Sequence, residues 1–191
     1  MCSMDQGPLA ERPLTILQIL PAMEVGGVER GTLDIADGLV QRGHKSIVVS
    51  DGGRLIPFLR RGGTEHVQWP VGEKSLLSLR WVTRLRRLLL EQEVDILHAR
   101  SRLPAWLAYF ACSGMKKDCK PGFVTTVHGY YSVNFYSSIM TRGTRVIATS
   151  RGIEKYIREN YPKVPEDRIR LIPRGVNPAH FPLLITLLTN G

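Results

Sequence analysis

Two adjacent glycines, Gly26 and Gly27, stand between a short apolar run and the first helical pattern, in P-A-M-E-V-G-G-V-E-R. Glycine lets a backbone take positive φ and lets a ligand come close to the amides. A helix start adds free N–H groups and a partial positive charge, which suit a phosphate or diphosphate. The competing reading is a turn that needs glycine only for its shape, and spacing alone does not separate the two. Gly26, Gly27 and Gly31 do not make G-x-G-x-x-G, so the dinucleotide fingerprint is absent, as is a Walker A sequence. Asp51 follows the second apolar run, where a ribose-binding acid would lie, and keeps a nucleotide-dependent oxidoreductase open as an alternative.

Histidine and arginine supply the other candidates. His128 closes an apolar run in T-V-H-G-Y-Y, and an imidazole there can donate or accept a hydrogen bond to a polar ligand and titrates near neutral pH. A histidine satisfied by a neighbouring carbonyl is the bland alternative, and it weighs more heavily for His98. In H-A-R-S-R-L-P, Arg100 and Arg102 flank Ser101 just past a strand end, where guanidinium forks suit phosphate and carboxylate oxygens, unless they are two solvated arginines at the sheet edge. Arg80, Arg84 and Arg87 make a basic stripe beside an apolar one of Leu77, Trp81, Leu85 and Leu88. Such a helix can lie on anionic lipid, or pack in a core with a solvated basic face.

Other chemistries lack their residues. No G-x-S-x-G elbow, no paired carboxylates and no Cys-x-x-Cys or Cys/His cluster appears, so hydrolase and zinc readings have no support and no metal is expected. Cys2, Cys112 and Cys119 have no paired spacing and are expected to be reduced thiols. The 191 residues carry 26 Lys and Arg against 17 Asp and Glu, a net charge of +9 that favours anionic partners. No zinc finger, RNP motif or helix-turn-helix is present, so nucleic acid is not the expected one. At 43% apolar and 23% charged residues the chain is globular in composition, which excludes disordered and fibrous classes. No apolar run approaches the ~20 residues of a membrane span, and the first thirteen residues have no signal-peptide core. The expected location is cytoplasmic, with a peripheral position at the inner face of the membrane open through the Arg80, Arg84 and Arg87 helix.

These residues need elements to hold them. Apolar runs at 14–20, 45–50, 65–69, 94–99, 122–128, 145–150 and 168–173 read as strands. Helical patterns lie between them at about 28–41, 55–61, 75–92, 104–112 and 151–161. In the first of these, Leu33, Ile35, Ala36, Leu39 and Val40 form the apolar stripe and Gly43 the C-terminal cap. Alternation of this kind predicts an α/β fold, a parallel sheet of about seven strands with helices on both faces. Ligands then bind beyond the carboxyl ends of the strands, where Gly26, Gly27, Ser50, Asp51, His98 to Arg102, His128 to Tyr131, Ser150 and Arg174 to Asn177 fall.

Five segments in order complete a pattern: V-G-G-V-E-R-G-T-L-D-I-A-D-G-L-V-Q-R-G-H, D-I-L-H-A-R-S-R-L-P-A-W, T-T-V-H-G-Y-Y, V-I-A-T-S-R-G-I and I-P-R-G-V-N-P-A-H-F. Together they resemble the N-terminal, acceptor-side half of a retaining GT-B glycosyltransferase of family 4, the "group 1" type, most like bacterial enzymes of lipopolysaccharide and other surface glycans. The resemblance runs from about residue 14 to residue 182, leaving 1–13 as a flexible N-terminus and 183–191 as a truncated tail or the start of a linker. It implies a Rossmann-like domain, half of a GT-B fold, whose partners are a nucleotide-diphosphate sugar as substrate and a glycan or lipid-linked acceptor, with no cofactor and no metal. By this resemblance Gly26 and Gly27 face the donor diphosphate, and His128 is the catalytic-site residue near the donor sugar. Glu29, Arg30, Arg100 and Tyr130 lie toward the acceptor. The family's second half carries the nucleotide pocket, so this chain alone is expected to be inactive. The alternative is a non-catalytic domain that binds glycolipid or an anionic membrane.

Overall fold

The computed structural model describes residues 12–73 and 79–175. In chain order the elements are β1 Thr15–Ile19, α1 Gly27–Gln41, β2 Lys45–Ser50, α2 Ile56–Arg61, β3 Glu65–Gln68, α3 Leu79–Glu91, β4 Ile96–Ala99, α4 Arg102–Ser113, β5 Gly122–Val127, β6 Arg145–Ala148, α5 Arg151–Asn160 and β7 Ile169–Leu171. All seven strands are parallel, in the order β3-β2-β1-β4-β5-β6-β7. The expected Rossmann-like α/β fold is the observed one. Its strand order reverses between β1 and β4, and the crevice of such sheets opens at that point.

The strands are apolar on both faces because helices cover both. Leu17, Ile19, Ile47 and Val49 point into the larger core cluster, with Trp81, Leu85 and Leu89 of α3 and Leu107, Ala108 and Ala111 of α4. Leu20 and Val48 point the other way, onto Leu33 and Ala36 of α1 and Ile56 and Leu59 of α2. Gln18 breaks this run: it is fully buried in the middle of β1, on the α1 face.

Several local expectations change. Ile35 is 39% exposed and does not join the α1 stripe; Thr32 takes the buried position instead, its hydroxyl donating to the Val28 carbonyl at 2.8 Å. α1 ends as expected: Gly43 has φ +79°, its N–H reaches the Val40 carbonyl, and the His44 N–H reaches that of Leu39, the paired bonds of a Schellman cap. α4 begins two residues before Pro104, which leaves the proline in the first turn, where its missing N–H costs nothing. Leu77 and the proposed tail at 183–191 lie outside the described residues, as do 1–11 of the expected flexible N-terminus.

Candidate active site

The loop from β1 to α1 is held by the loop from β2 to α2. The Asp51 N–H donates to the Pro21 carbonyl at 2.9 Å, the Met23 N–H to that of Gly52 at 2.6 Å, and the Leu55 N–H to that of Met23 at 2.9 Å. Gly53 makes this approach possible: at φ +128°, a Cβ there would run into the Met23 carbonyl and lie 2.8 Å from the Glu24 nitrogen. Gly26 and Gly27, by contrast, need no glycine conformation. Gly26 is extended, at φ −164°, and Gly27 is the first helical residue of α1. Shape therefore does not account for the pair. What their missing side chains leave is solvent-exposed backbone at the start of a helix whose first turn has no side-chain cap, with room for the tips of Glu29 and Arg174 to fold over it.

Arginines and a histidine surround this start. The Glu29 carboxylate folds back over Gly26. Arg174, beyond β7, reaches across the strand ends: its Nη2 lies 2.8 Å from His128 Nδ1, and its Nη1 would be 2.5 Å from a Cβ on Gly27. Arg100 is not a solvated arginine of the sheet edge. It is only 3% exposed and lies against α1 at Gly31, where a Cβ would be 3.1 Å from its Nη2. Its Nη1 donates to Gln18 Oε1 at 3.2 Å, and Gln18 Nε2 donates to the Thr32 carbonyl at 3.0 Å. Gln18 thus ties β1, α1 and the end of β4 together. Arg100 Nε and His128 Nε2 are buried and have no hydrogen-bond partner among the described residues.

Charge in this cluster is only partly balanced. Burial, then the charge of Arg174, push Arg100 down to about 10, while Glu29 and Asp34 pull it up. It stays cationic at neutral pH. Burial, with Arg100 and Arg174 adding to it, pushes His128 down to about 3, so its imidazole is neutral. A helix start, two guanidinium groups and one neutral imidazole, with the Glu29 carboxylate beside them, make an edge of net positive charge, chemistry that can hold an anionic ligand.

The remaining expected residues separate. Arg30 projects from α1 into solvent. Tyr130 is 73% exposed and belongs to α5 by contact: its ring meets Tyr156 edge-on at 5.4 Å, and a Cβ on Gly152 would lie 2.7 Å from its hydroxyl. His98 is a satisfied core histidine, 5% exposed with Nε2 2.7 Å from Thr126 Oγ1. Ser150 accepts from the Ile153 N–H at 3.2 Å and is the N-cap of α5, and buried Ser50 is 2.9 Å from His66 Nε2. Asp51 is exposed. Arg102 donates to Ser137 Oγ at 3.3 Å and stands 5.0 Å from the Tyr131 ring. Sequence reasoning missed the parts played by Gln18 and Gly53, and placed Arg174 at a strand end without its tie to His128. Each had a signal: a polar residue inside L-T-I-L-Q-I-L, a second Gly-Gly pair in S-D-G-G-R, and an arginine at the last strand end.

On the α3 side, Trp81 is buried and stacks on Trp69 at 5.5 Å. Of the two readings of this helix, its tryptophan follows the core-packed one. No helix of the described residues is long and apolar enough to cross a membrane.

Comparison with known proteins gives a consistent result. The model of Glycosyltransferase Family 4 matches residues 25–180. The chain is similar to a crystallised glycosyltransferase from Rickettsia africae ESF-5, with a TM-score of 0.74 and 37% identity over 86% of this chain and 44% of that one. It shares its fold with Anabaena Alr3699/HepE, crystallised with UDP and glucose, at a TM-score of 0.66 and 16% identity, covering 92% of this chain and 50% of that one. An uncharacterized glycosyltransferase, MJ1607 of Methanocaldococcus jannaschii, is 22% identical over 183 residues, 84% of this chain and 45% of the relative. The chain spans half or less of the length of each of these proteins.

Proposed function

Because the chain belongs to glycosyltransferase family 4, we propose that it is the acceptor-side half of an enzyme that moves a sugar from a nucleotide-diphosphate donor to a hydroxyl of a glycan or lipid-linked acceptor. One observation carries this reading. The uncapped start of α1 at Gly26–Gly27, which follows β1 at the switch point, lies against Arg174, and Arg174 in turn holds His128 at the end of β5. A diphosphate would take the amides at the start of α1 by displacing the flexible Glu29 carboxylate from Gly26, and Arg174 is a second positive group beside them. Arg100, beneath α1, contributes field rather than contact. Arg30 stands on the exposed face of α1 left for an acceptor, and Glu29 would reach that face by leaving Gly26.

HepE was crystallised with UDP-glucose, which supports a nucleotide sugar as the donor class here. Retention of anomeric configuration and a place in lipopolysaccharide or other surface-glycan synthesis rest on the motif resemblance. Charge stabilisation of the leaving diphosphate is the term such a site supplies, and the loss of one donor of this kind typically costs about 2.7–4 kcal/mol of barrier.

Amide and imidazole NMR of the chain titrated with UDP-glucose tests the reading. The expected shifts fall on Gly26, Gly27, Val28 and the His128 ring, weakly and at millimolar ligand. Shifts elsewhere, or none at these residues, would remove it.

A further inference from the structure

We infer that Arg174 occupies the only lone pair of the neutral His128 ring, so that the one group the ring keeps free is a hydrogen-bond donor and not a base. The geometry is direct. Arg174 Nη2 and His128 Nδ1 are 2.8 Å apart. A guanidinium has five N–H donors and no acceptor. Nδ1 is therefore the acceptor of this bond, and the ring proton sits on Nε2. No described residue accepts from Nε2, which is buried, so this N–H is the one polar group of the ring without a partner.

The alternatives cost more. Moving the proton to Nδ1 would turn an N–H toward a guanidinium N–H and lose the bond. Adding a second proton would put three positive groups together, since Arg100 and Arg174 both act on His128. His98, the other titratable group acting with them, is buried and neutral, its Nε2 shared with Thr126. Glu29 reaches Gly26, not His128. No described residue near the ring would hold a proton taken from a ligand.

Arg174 is thus a positioning residue: it acts through His128. The same guanidinium stands over Gly27, so one side chain sets the histidine and places positive charge at the start of α1. This extends the proposed function only in saying what His128 offers a sugar oxygen. The tautomer itself stands on the ring and its arginine.

Nitrogen-15 NMR of the histidine rings of the intact chain tests it, with His128 assigned by loss of its signals in His128→Gln. The expected wild-type pattern has a protonated Nε2 and an unprotonated Nδ1. Arg174→Met, which keeps length and removes every donor, should move the two ring nitrogens toward the averaged shifts of a free imidazole and raise the ring's titration midpoint. Arg174→Lys, again a donor only, should restore the wild-type tautomer. Arg174 is exposed, so an unchanged amide spectrum elsewhere will confirm that each variant folds. A protonated Nδ1 in the wild type would overturn the inference. So would an Arg174→Met variant with both tautomer and midpoint unchanged. Failure of the chain to bind UDP-glucose would count against the proposed function and leave this assignment standing.

Discussion

Two groups of arginines divide this molecule. On α3, Arg80 and Arg84 each lie 4.9 Å from the Trp81 ring, Arg87 pairs with Glu91 at 2.6 Å, and Arg86 donates to the Ala111 and Phe110 carbonyls at the end of α4, at 3.0 and 3.2 Å. Every one of these groups has a ring, a carboxylate or a helix end to serve. At the strand ends the pattern reverses. Arg100 is buried with one amide oxygen and an unpartnered Nε, and Arg174 donates to an imidazole, which brings no counter-charge. The sequence makes the first group look more basic, yet the second is where positive charge is only partly answered, by Glu29 and Asp34 acting on Arg100 without a direct ion pair. Density of charge does not mark a binding site. Charge that the fold holds in place without neutralising does.

That contrast depends on the loop that carries Gly26, and the most damaging change should be at its support. In Gly53→Ala a methyl group must enter the space of the Met23 carbonyl at a φ of +128°. Strain and overlap together predict a loss of about 2–4 kcal/mol, read from the urea midpoint. Alanine at Gly26, which is already extended, should cost less than about 1 kcal/mol. Equal losses at the two sites would mean that the β1–α1 loop needs glycine for shape after all.

Arg100→Met separates stability from binding. The variant strands Gln18 Oε1, a cost of about 1–3 kcal/mol, but it also removes a desolvated charge, which offsets that loss. The expected net change in stability is under about 1 kcal/mol, while UDP-glucose should bind about tenfold more weakly, the worth of about 1.4 kcal/mol of charge interaction. A variant that unfolds would place Arg100 with the structural arginines of α3.

The parallel sheet was legible because its strands are short apolar runs between helical patterns, and Val48 or Leu97 has no place except a core. Gly26, Gly27 and His128 were legible as types at strand ends. What local pattern could not supply was pairing across distance. Arg174 meets His128 over 46 positions, and Arg100 meets Gln18 over 82. Nothing in R-G-V-N or L-Q-I-L reports the partner. Trp81 left two readings open for the opposite reason: an amphipathic stripe with a basic flank has the same period whether it faces lipid or, as it does here, a second tryptophan.

The buried histidines give the cluster a pH signature. His128 is pushed down to about 3, His98 well below its ordinary value and His66 lowered, in each case chiefly by burial. The unfolded chain binds these protons near pH 6.5 and the folded one does not. Their contribution is therefore complete above about pH 6.5 and is lost progressively as pH falls toward about 3. Equilibrium unfolding at a series of pH values should show stability falling through that window. His128→Gln should flatten the fall without abolishing it, since His98 and His66 remain. An identical slope in the variant would mean that His128 titrates normally in the folded chain, and the positive cluster around it would lose its force.

The least effect is expected on α3. Arg84 shares the Trp81 ring with Arg80, and its own head is in water, so Arg84→Ala removes one of two equivalent cation–π contacts. Exposed contacts of this kind are worth about 0.5–1 kcal/mol, and the remaining arginine retains part of that. Stability should change by no more than about 0.5 kcal/mol, and UDP-glucose affinity should stay within twofold of the wild type. The useful control is anionic lipid. If phosphatidylglycerol vesicles capture the wild-type chain and Arg84→Ala releases it, the helix has a partner that its neutralised contacts conceal. The rule drawn from the two arginine groups would then fail at a surface, where solvent leaves even a stacked guanidinium free to find an anion.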